Sequence, residues 1–200
     1  ICQMNCRCQI LPSTYKSENL KQPILIKKEK DKSVKQYWTG LGASPLALIK
    51  DYTADSSRIN NKLRKNPNLI KTDKTIQSLQ KTLKEAPKYK KTVYRGLSFD
   101  TLQHITKFME DVEVGGVMTA KSFWSSSKSL DIATRFSAPE DTGYRAMLKI
   151  KSKNGVSVED VSIFPGEKEV LFPHQSVFKI KKIQIDDGAD TVYNIELEQI

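Results

Sequence analysis

The sequence contains no apolar run approaching the roughly 20 residues that cross a bilayer, and its first residues lack the charged-then-apolar order of a secretory signal. A water-soluble chain without a membrane span is expected. Cysteine is scarce: Cys2, Cys6 and Cys8 all fall in the first eight residues, so disulfides do not staple the core. Histidine is scarcer. His104 and His174 lie about a hundred residues or more from the cysteines, which leaves no four-ligand zinc spacing, and no metal is expected. Aromatics are 8% of the chain and do not interleave with the lysines as a base-stacking surface requires. The formal net charge of +10 is compatible with a polyanionic partner, a negatively charged small substrate or simply a basic surface. Its lysines are densest in 27–35 and 81–91, and without aromatics among them the pattern argues against a nucleic-acid interface.

Two hundred residues with 38% apolar content bury one substantial core. Residues 1–36, with prolines at 12 and 23 and a lysine-rich stretch, read as tail and linker, and 37–200 as the folded domain. The chain starts at Ile1 without an initiator Met, so a piece of something longer is expected. From Tyr37 to Glu85 the pattern is helical: Ser44 offers a cap, Pro45 suits a first turn, and Leu46, Ile49, Ile59 and Leu63 recur near helical spacing. Asn66-Pro67 stops that run. A second stretch through Ile76, Leu79 and Leu83 ends at Ala86-Pro87. From Thr92 onward the runs TVYRGL, SFWSSS, YRAMLKI, GVSVEDV, EVLF, VFKIKKIQI and TVYNIELEQI read as strands, interrupted by helices near 99–108 and 129–136. There is no internal repeat. The class is α+β: a helical N-terminal half packed on a mainly antiparallel, two-sheet β core.

Three short motifs carry chemical potential. In Tyr94-Arg95-Gly96 an arginine on a rigid strand offers a planar fork for a phosphate, and Gly96 lets a ligand approach the backbone; a surface arginine at a strand end is the plainer reading. In Ser122–Ser127, alternation sends Phe123, Ser125 and Ser127 to one face, where small hydroxyls suit a ribose or a carboxylate; taken alone, a polar strand end leading to a helix capped by Ser129 is the plainer reading. In Phe164–Phe172, Pro165-Gly166 makes a turn, and the following strand puts Glu167 and Glu169 on one face, ~6.5 Å apart along the strand. Paired carboxylates anchored by Val170, Leu171 and Phe172 suit chemistry that develops positive charge, although a solvated strand edge also carries such charges.

In this order the three motifs resemble the Arg, Ser-Thr-Ser, Glu-x-Glu signature of the arginine-specific mono-ADP-ribosyltransferases, a group that includes binary-toxin enzymatic components and vertebrate ecto-enzymes. The resemblance runs over about 150 residues, from the helical stretch YTADSSRINNKLR (52–64) to the C-terminal strand. One departure is Ser126 in place of the middle threonine, on the face pointing away from the site. The resemblance implies that NAD is the co-substrate and that Glu169 is the catalytic glutamate, oriented by Ser127 or Ser125. It implies that Arg95 holds the NAD phosphates with Tyr94 beside it, and that Glu167 selects the acceptor. Relatives acting on asparagine or guanine carry Gln there, so Glu167 argues for arginine. It further implies Phe164 as a contact for the target protein, Phe136 as support for the nicotinamide pocket, and Asn60 and Arg64 toward the adenylate side. Packing in the core, for the two phenylalanines, and a solvated helix face, for the polar pair, remain open. Two carboxylates this close are expected to raise one another's pKa, which helps Glu167 act as a base.

Separately, ICQMNCRCQILP resembles the closing Asn-Cys-Arg-Cys stretch of phage Mu F-like minor head proteins, which implies a C-terminal effector domain of a phage head protein. The implied partners are a target protein with an accessible arginine and an immunity protein, and the implied setting is a secreted or phage-delivered effector acting in the cytoplasm of a target cell. Two other readings stand beside this one: an NAD glycohydrolase, with water as the acceptor, and a phage structural or nucleic-acid-binding module.

Overall fold

The computed structural model describes residues 32–137, 143–187 and 191–200. Most of the expected tail, including the Asn-Cys-Arg-Cys stretch, lies outside the described residues. The helical layer comprises α1 (Lys32–Gly40), α2 (Ala43–Ala54), α3 (Ser57–Lys65), a 3₁₀ turn (Pro67–Lys71) and α4 (Lys74–Glu85). Helix α1 runs through position 36, where the sequence suggested the end of a linker, because its apolar residues are anchored. Trp38 is buried, its indole Nε1 donates to Ser157 O at 3.1 Å, and Val34 packs against the same cluster. The N-cap of α2 is Gly42, without a side-chain bond, so Ser44 falls inside the first turn rather than capping it. The expected stops hold. Asn66 ends α3 and its side chain accepts from Asn68 N, while α4, capped by Asp73, ends before Pro87 with Ala86 extended. Ile76, Leu79 and Leu83, three and four residues apart, are all buried on one face of α4.

The second half contains β1 (Thr92–Phe99), α5 (Leu102–Met109), β2 (Val117–Thr119), β3 (Trp124–Ser127), α6 (Leu130–Ser137), β4 (Tyr144–Lys151), β5 (Val156–Ser157), β6 (Glu169–Phe172), β7 (Val177–Asp187) and β8 (Thr191–Gln199). Strand order is β2-β7-β8-β4-β1-β3-β6-β5, antiparallel except for the parallel pair β4/β8. The two expected sheets are thus two arms of one hydrogen-bonded order, five strands and three, joined between β1 and β3 at the register pair Tyr94↔Ser127. Short β2 was not legible in the sequence, and of GVSVEDV only Val156–Ser157 forms a strand.

The three-stranded arm is covered on both sides. Val170 and Phe172 of β6 enter a core with Val93, Leu148 and Phe178, whereas Leu171 enters a second core with Tyr52, Leu83 and Phe123. This double burial is why EVLF is an unbroken apolar run rather than an alternating one. Helix α6 lies directly on β1 at Gly96, where a Cβ would sit 2.0 Å from Ala133 O and 2.7 Å from Ser137 Cβ. Gly96→Ala forces backbone against backbone and is expected to cost about 3 kcal/mol. That lowers the melting temperature by roughly 6–12 °C; a thermal melt within about 2 °C of the parent would mean that α6 does not hold this position.

Candidate active site

The site forms where β3, β6 and β1 meet the α2/α3 corner. Phe123, just before β3, enters the helical core and Trp124 packs against the other, leaving the serines along the strand. Each serine has a different task. Ser125 Oγ donates to Glu169 Oε1 at 2.5 Å, Ser126 Oγ turns away to Val170 O at 2.8 Å, and Ser127 Oγ donates to Glu167 O at 2.8 Å. Of the two serines expected to orient Glu169, only Ser125 touches its carboxylate; Ser127 holds the backbone of Glu167 and accepts from Ser129 N at 3.0 Å.

Arg95 projects from β1 with Nη1 donating to Ser125 O. Its guanidinium lies 5.6 Å from the centroid of Trp124, which is itself stacked on Phe178 at 5.1 Å and 6°. The fork is therefore fixed by a carbonyl and an aromatic platform, while its Nε is buried without a partner. Tyr94, half-buried, sits opposite Ser127. Gly96 does not face the site opening: its missing side chain admits α6, not a ligand.

The two glutamates do not share a strand as the sequence suggested. Pro165 opens a 3₁₀ turn ending at Glu167, Lys168 takes left-handed backbone (φ 51°), and β6 begins only at Glu169. The turn arises because Glu167 N and Lys168 N bond back to Phe164 O and Pro165 O, at 3.0 and 3.2 Å, instead of joining the ladder. Glu167 is half-buried, whereas Glu169 is 6% exposed. Burial raises the Glu169 pKa to about 7; the Ser125 hydrogen bond and Arg95 pull it down, and the charge of Glu167 adds to the rise. The rise at Glu169 comes from desolvation first, with the repulsion by Glu167 expected from the sequence as a smaller contribution. Glu169 Oε2 is buried with no partner, so it can accept a hydrogen bond from an incoming hydroxyl.

Asn60 is spent inside the protein. Its Nδ2 donates to Tyr52 OH at 3.0 Å and its Oδ1 accepts from Phe123 N at 3.1 Å, bracing α2 and α3 against β3. An adenylate contact by Asn60 does not fit this arrangement. Arg64, one turn on, is half-buried and donates to Asn61 Oδ1 at 2.6 Å. Tyr52 was not singled out from the sequence, yet its buried hydroxyl lies beside Ser125, and its pKa is raised by burial and by the charge of Glu169. The signal was its place eight residues before Asn60, obscured by the break between the two helices. Phe136 is 40% exposed, which removes the core role for it, and half-buried Phe164 belongs to neither core cluster. Among the described residues no group of His, Cys, Asp and Glu is arranged to hold a metal ion.

An eight-stranded, mainly antiparallel sheet clasped by helices is the fold of solved ADP-ribosyltransferase toxins. The sequence profile of the ADP-ribosyltransferase exoenzyme family matches residues 28–199, and the chain belongs to that family. It is 29% identical over 147 residues to Mav of Mycobacterium avium, covering 73% of this chain and 17% of that protein. It is 30% identical over 114 residues to Vis of Vibrio splendidus, covering 54% and 44%. Both relatives are named as NAD(+)–arginine ADP-ribosyltransferases, and this chain spans less than half the length of either. The solved structure of Vis with agmatine superposes at a TM-score of 0.65 (23% identity, 85% of this chain and 80% of that one). Plx2a, an ADP-ribosyltransferase toxin of Paenibacillus larvae, superposes at 0.63 (24%, 84% and 92%).

Because the folded-state pKa of Glu169 is raised from 4.5 to about 7, its contribution to stability is fully present below pH 4.5 and is lost as pH rises through 7. Glu169→Gln, which cannot ionise, is expected to match the parent at pH 4.5 and to be more stable at pH 8 by up to about 3 kcal/mol. Urea titrations at the two pH values measure this, and equal differences at both would contradict the buried-carboxylate assignment.

Proposed function

We propose that the folded domain, from α1 onward, is a catalytic domain that cleaves NAD and transfers ADP-ribose to an arginine side chain of a target protein. The observation that carries this reading is Glu169: a buried carboxylate, aligned by Ser125, with one oxygen left open beside Arg95. In the proposed reaction the bond between C1′ of the ribose and the nicotinamide nitrogen breaks, and nicotinamide leaves with the electron pair. The ribose becomes oxocarbenium-like, and a negative charge at Glu169 stabilises it while Oε2 accepts the ribose hydroxyl. Arg95, with Tyr94 beside it, binds the phosphates bidentately. Arg64 lies toward the adenylate side, and exposed Phe136 borders the nicotinamide. Glu167, on a solvent-accessible turn, aligns the acceptor guanidinium and takes its proton as the new N–C bond forms. Phe164, three residues earlier, meets the target protein.

The arginine acceptor is supported by the presence of Glu rather than Gln at 167, by the names of Mav and Vis, and by the agmatine complex of Vis. No described helix is long and apolar enough to cross a membrane. An effector delivered into the cytoplasm of a target cell, with an immunity protein guarding the producer, agrees with the toxin relatives.

The test is NAD turnover with and without agmatine. The domain should form ADP-ribosyl-agmatine, and Glu169→Ala should lower both cleavage and transfer at least about 100-fold. Glu167→Ala should abolish transfer while sparing NAD cleavage. Cleavage by the parent without any transfer would replace this reading by NAD glycohydrolysis, and absence of NAD binding would end the enzymatic reading.

Since Glu169 acts as the anion, kcat/KM for NAD should rise with pH to a plateau above about 7. A flat profile between pH 5.5 and 8.5 would show that its ionisation does not control the reaction.

A further inference from the structure

Outside the groups assigned to chemistry, one side chain is committed more heavily than any surface role requires. Lys128 follows the serine run directly. Its ammonium donates to Ser157 Oγ at 2.6 Å and Glu159 Oε2 at 2.9 Å, and lies 5.0 Å from the centroid of the Tyr89 ring. Its side chain is 21% exposed and that of Glu159 31%. Its backbone N–H donates to Lys168 O at 3.1 Å.

The strand register explains what this lysine spans. Ser127 pairs with Glu169 and Ser157 pairs with Val170, on opposite sides of β6, while Val158 N donates to Glu169 O at 3.0 Å. One residue past the β3 ladder Lys128 N donates to Lys168 O, while Glu159 stands in the turn after β5 that Val161 N and Ser162 N close on Val158 O. The Lys128–Glu159 ion pair therefore ties the segment after β5 to the end of β3, whose Lys128 N–H holds the carbonyl of Lys168, the residue between the two glutamates. That residue holds left-handed backbone, which an L side chain adopts only against steric resistance. If released, Lys168 is free to relax toward extended backbone, and β6 would then grow through Glu167 and swing its side chain. The bonds that oppose this come from the end of β3: Ser127 Oγ to Glu167 O and Lys128 N to Lys168 O. Glu169 is held separately, by Ser125 and by its place in the ladder.

We propose that Lys128, anchored to Ser157 and Glu159, is a positioning residue that keeps the 165–168 turn in place and so sets how much ADP-ribose reaches a guanidinium rather than water. This inference rests on the arginine-transferase reading. Lys128 contributes no bond to the reacting atoms. Its effect runs through Glu167, so it separates the two fates of the same intermediate.

The experiment measures agmatine transfer and NAD hydrolysis in parallel, together with the melting temperature. Lys128→Met, which keeps the stem but not the charge, should lower transfer about tenfold and leave hydrolysis within about threefold. Lys128→Arg should restore the parental ratio, and Glu159→Gln should shift the ratio in the same direction as Lys128→Met. Adding Lys168→Gly to Lys128→Met should recover part of the transfer, because glycine holds left-handed backbone without resistance. If Lys128→Met does not fold, the ratio in Glu159→Gln decides. Equal loss of both activities, or an unchanged ratio in every variant, overturns the proposal. Absence of transfer by the parent would sink the arginine-transferase reading and this inference with it, whereas parental transfer with an unmoved ratio sinks this inference alone.

Discussion

The arrangement depends on the removal of water from one carboxylate. Glu169 is the first residue of a strand buried between two apolar cores, and burial opposes its charge. Burying a charge is costly unless partners offset it. Here the offset is partial: Ser125 donates to one oxygen, Arg95 lies within electrostatic reach, and the other oxygen is unpaired. A carboxylate kept short of partners interacts strongly with any positive charge that develops beside it, because little water is present to screen the field.

That placement requires the whole fold. The three-stranded arm must be covered by helices on one face and by the five-stranded arm on the other, which needs β6 apolar at Val170, Leu171 and Phe172. Asn60 then ties the helices to the start of β3 through Tyr52 OH and Phe123 N, which joins the helical wall directly to the serine-bearing strand. On the opposite side, Gly96 admits α6 against β1 and fixes the strand from which Arg95 projects. Arg95, Ser125 and Glu169 are thus held by rigid elements with separate packing supports, the condition for a preorganised site.

Glu167 belongs to a different regime. It is two residues from Glu169 in sequence but sits on a 3₁₀ turn, half-buried and followed by a left-handed residue. A rigid carboxylate and a carboxylate on a turn suit different demands. In the proposed reaction the first meets a small ligand of fixed shape, and the second adapts to a guanidinium presented by a protein surface.

Much of this was legible in the sequence. The α+β class, the helix stops at Asn66-Pro67 and Ala86-Pro87, the burial of Ile76, Leu79 and Leu83, and the facing of Phe123 and Ser125 follow from local periodicity and turn chemistry, which act within a few residues. The order of the Arg, Ser and Glu motifs was enough to indicate the family. What the sequence could not decide were matters of long-range contact. It offered Ser127 and Ser125 alike for Glu169, gave Gly96 and Asn60 to a ligand, and put both glutamates on one strand. The structure gives Ser125 alone to the carboxylate, Gly96 to α6, Asn60 to an internal brace and Glu167 to a turn. The Glu167 turn is local, closed by bonds to Phe164 O and Pro165 O, but the other three corrections share one origin. The partner lies tens of residues away, and which polar group a buried side chain meets is set by the packing of distant elements rather than by spacing along the chain.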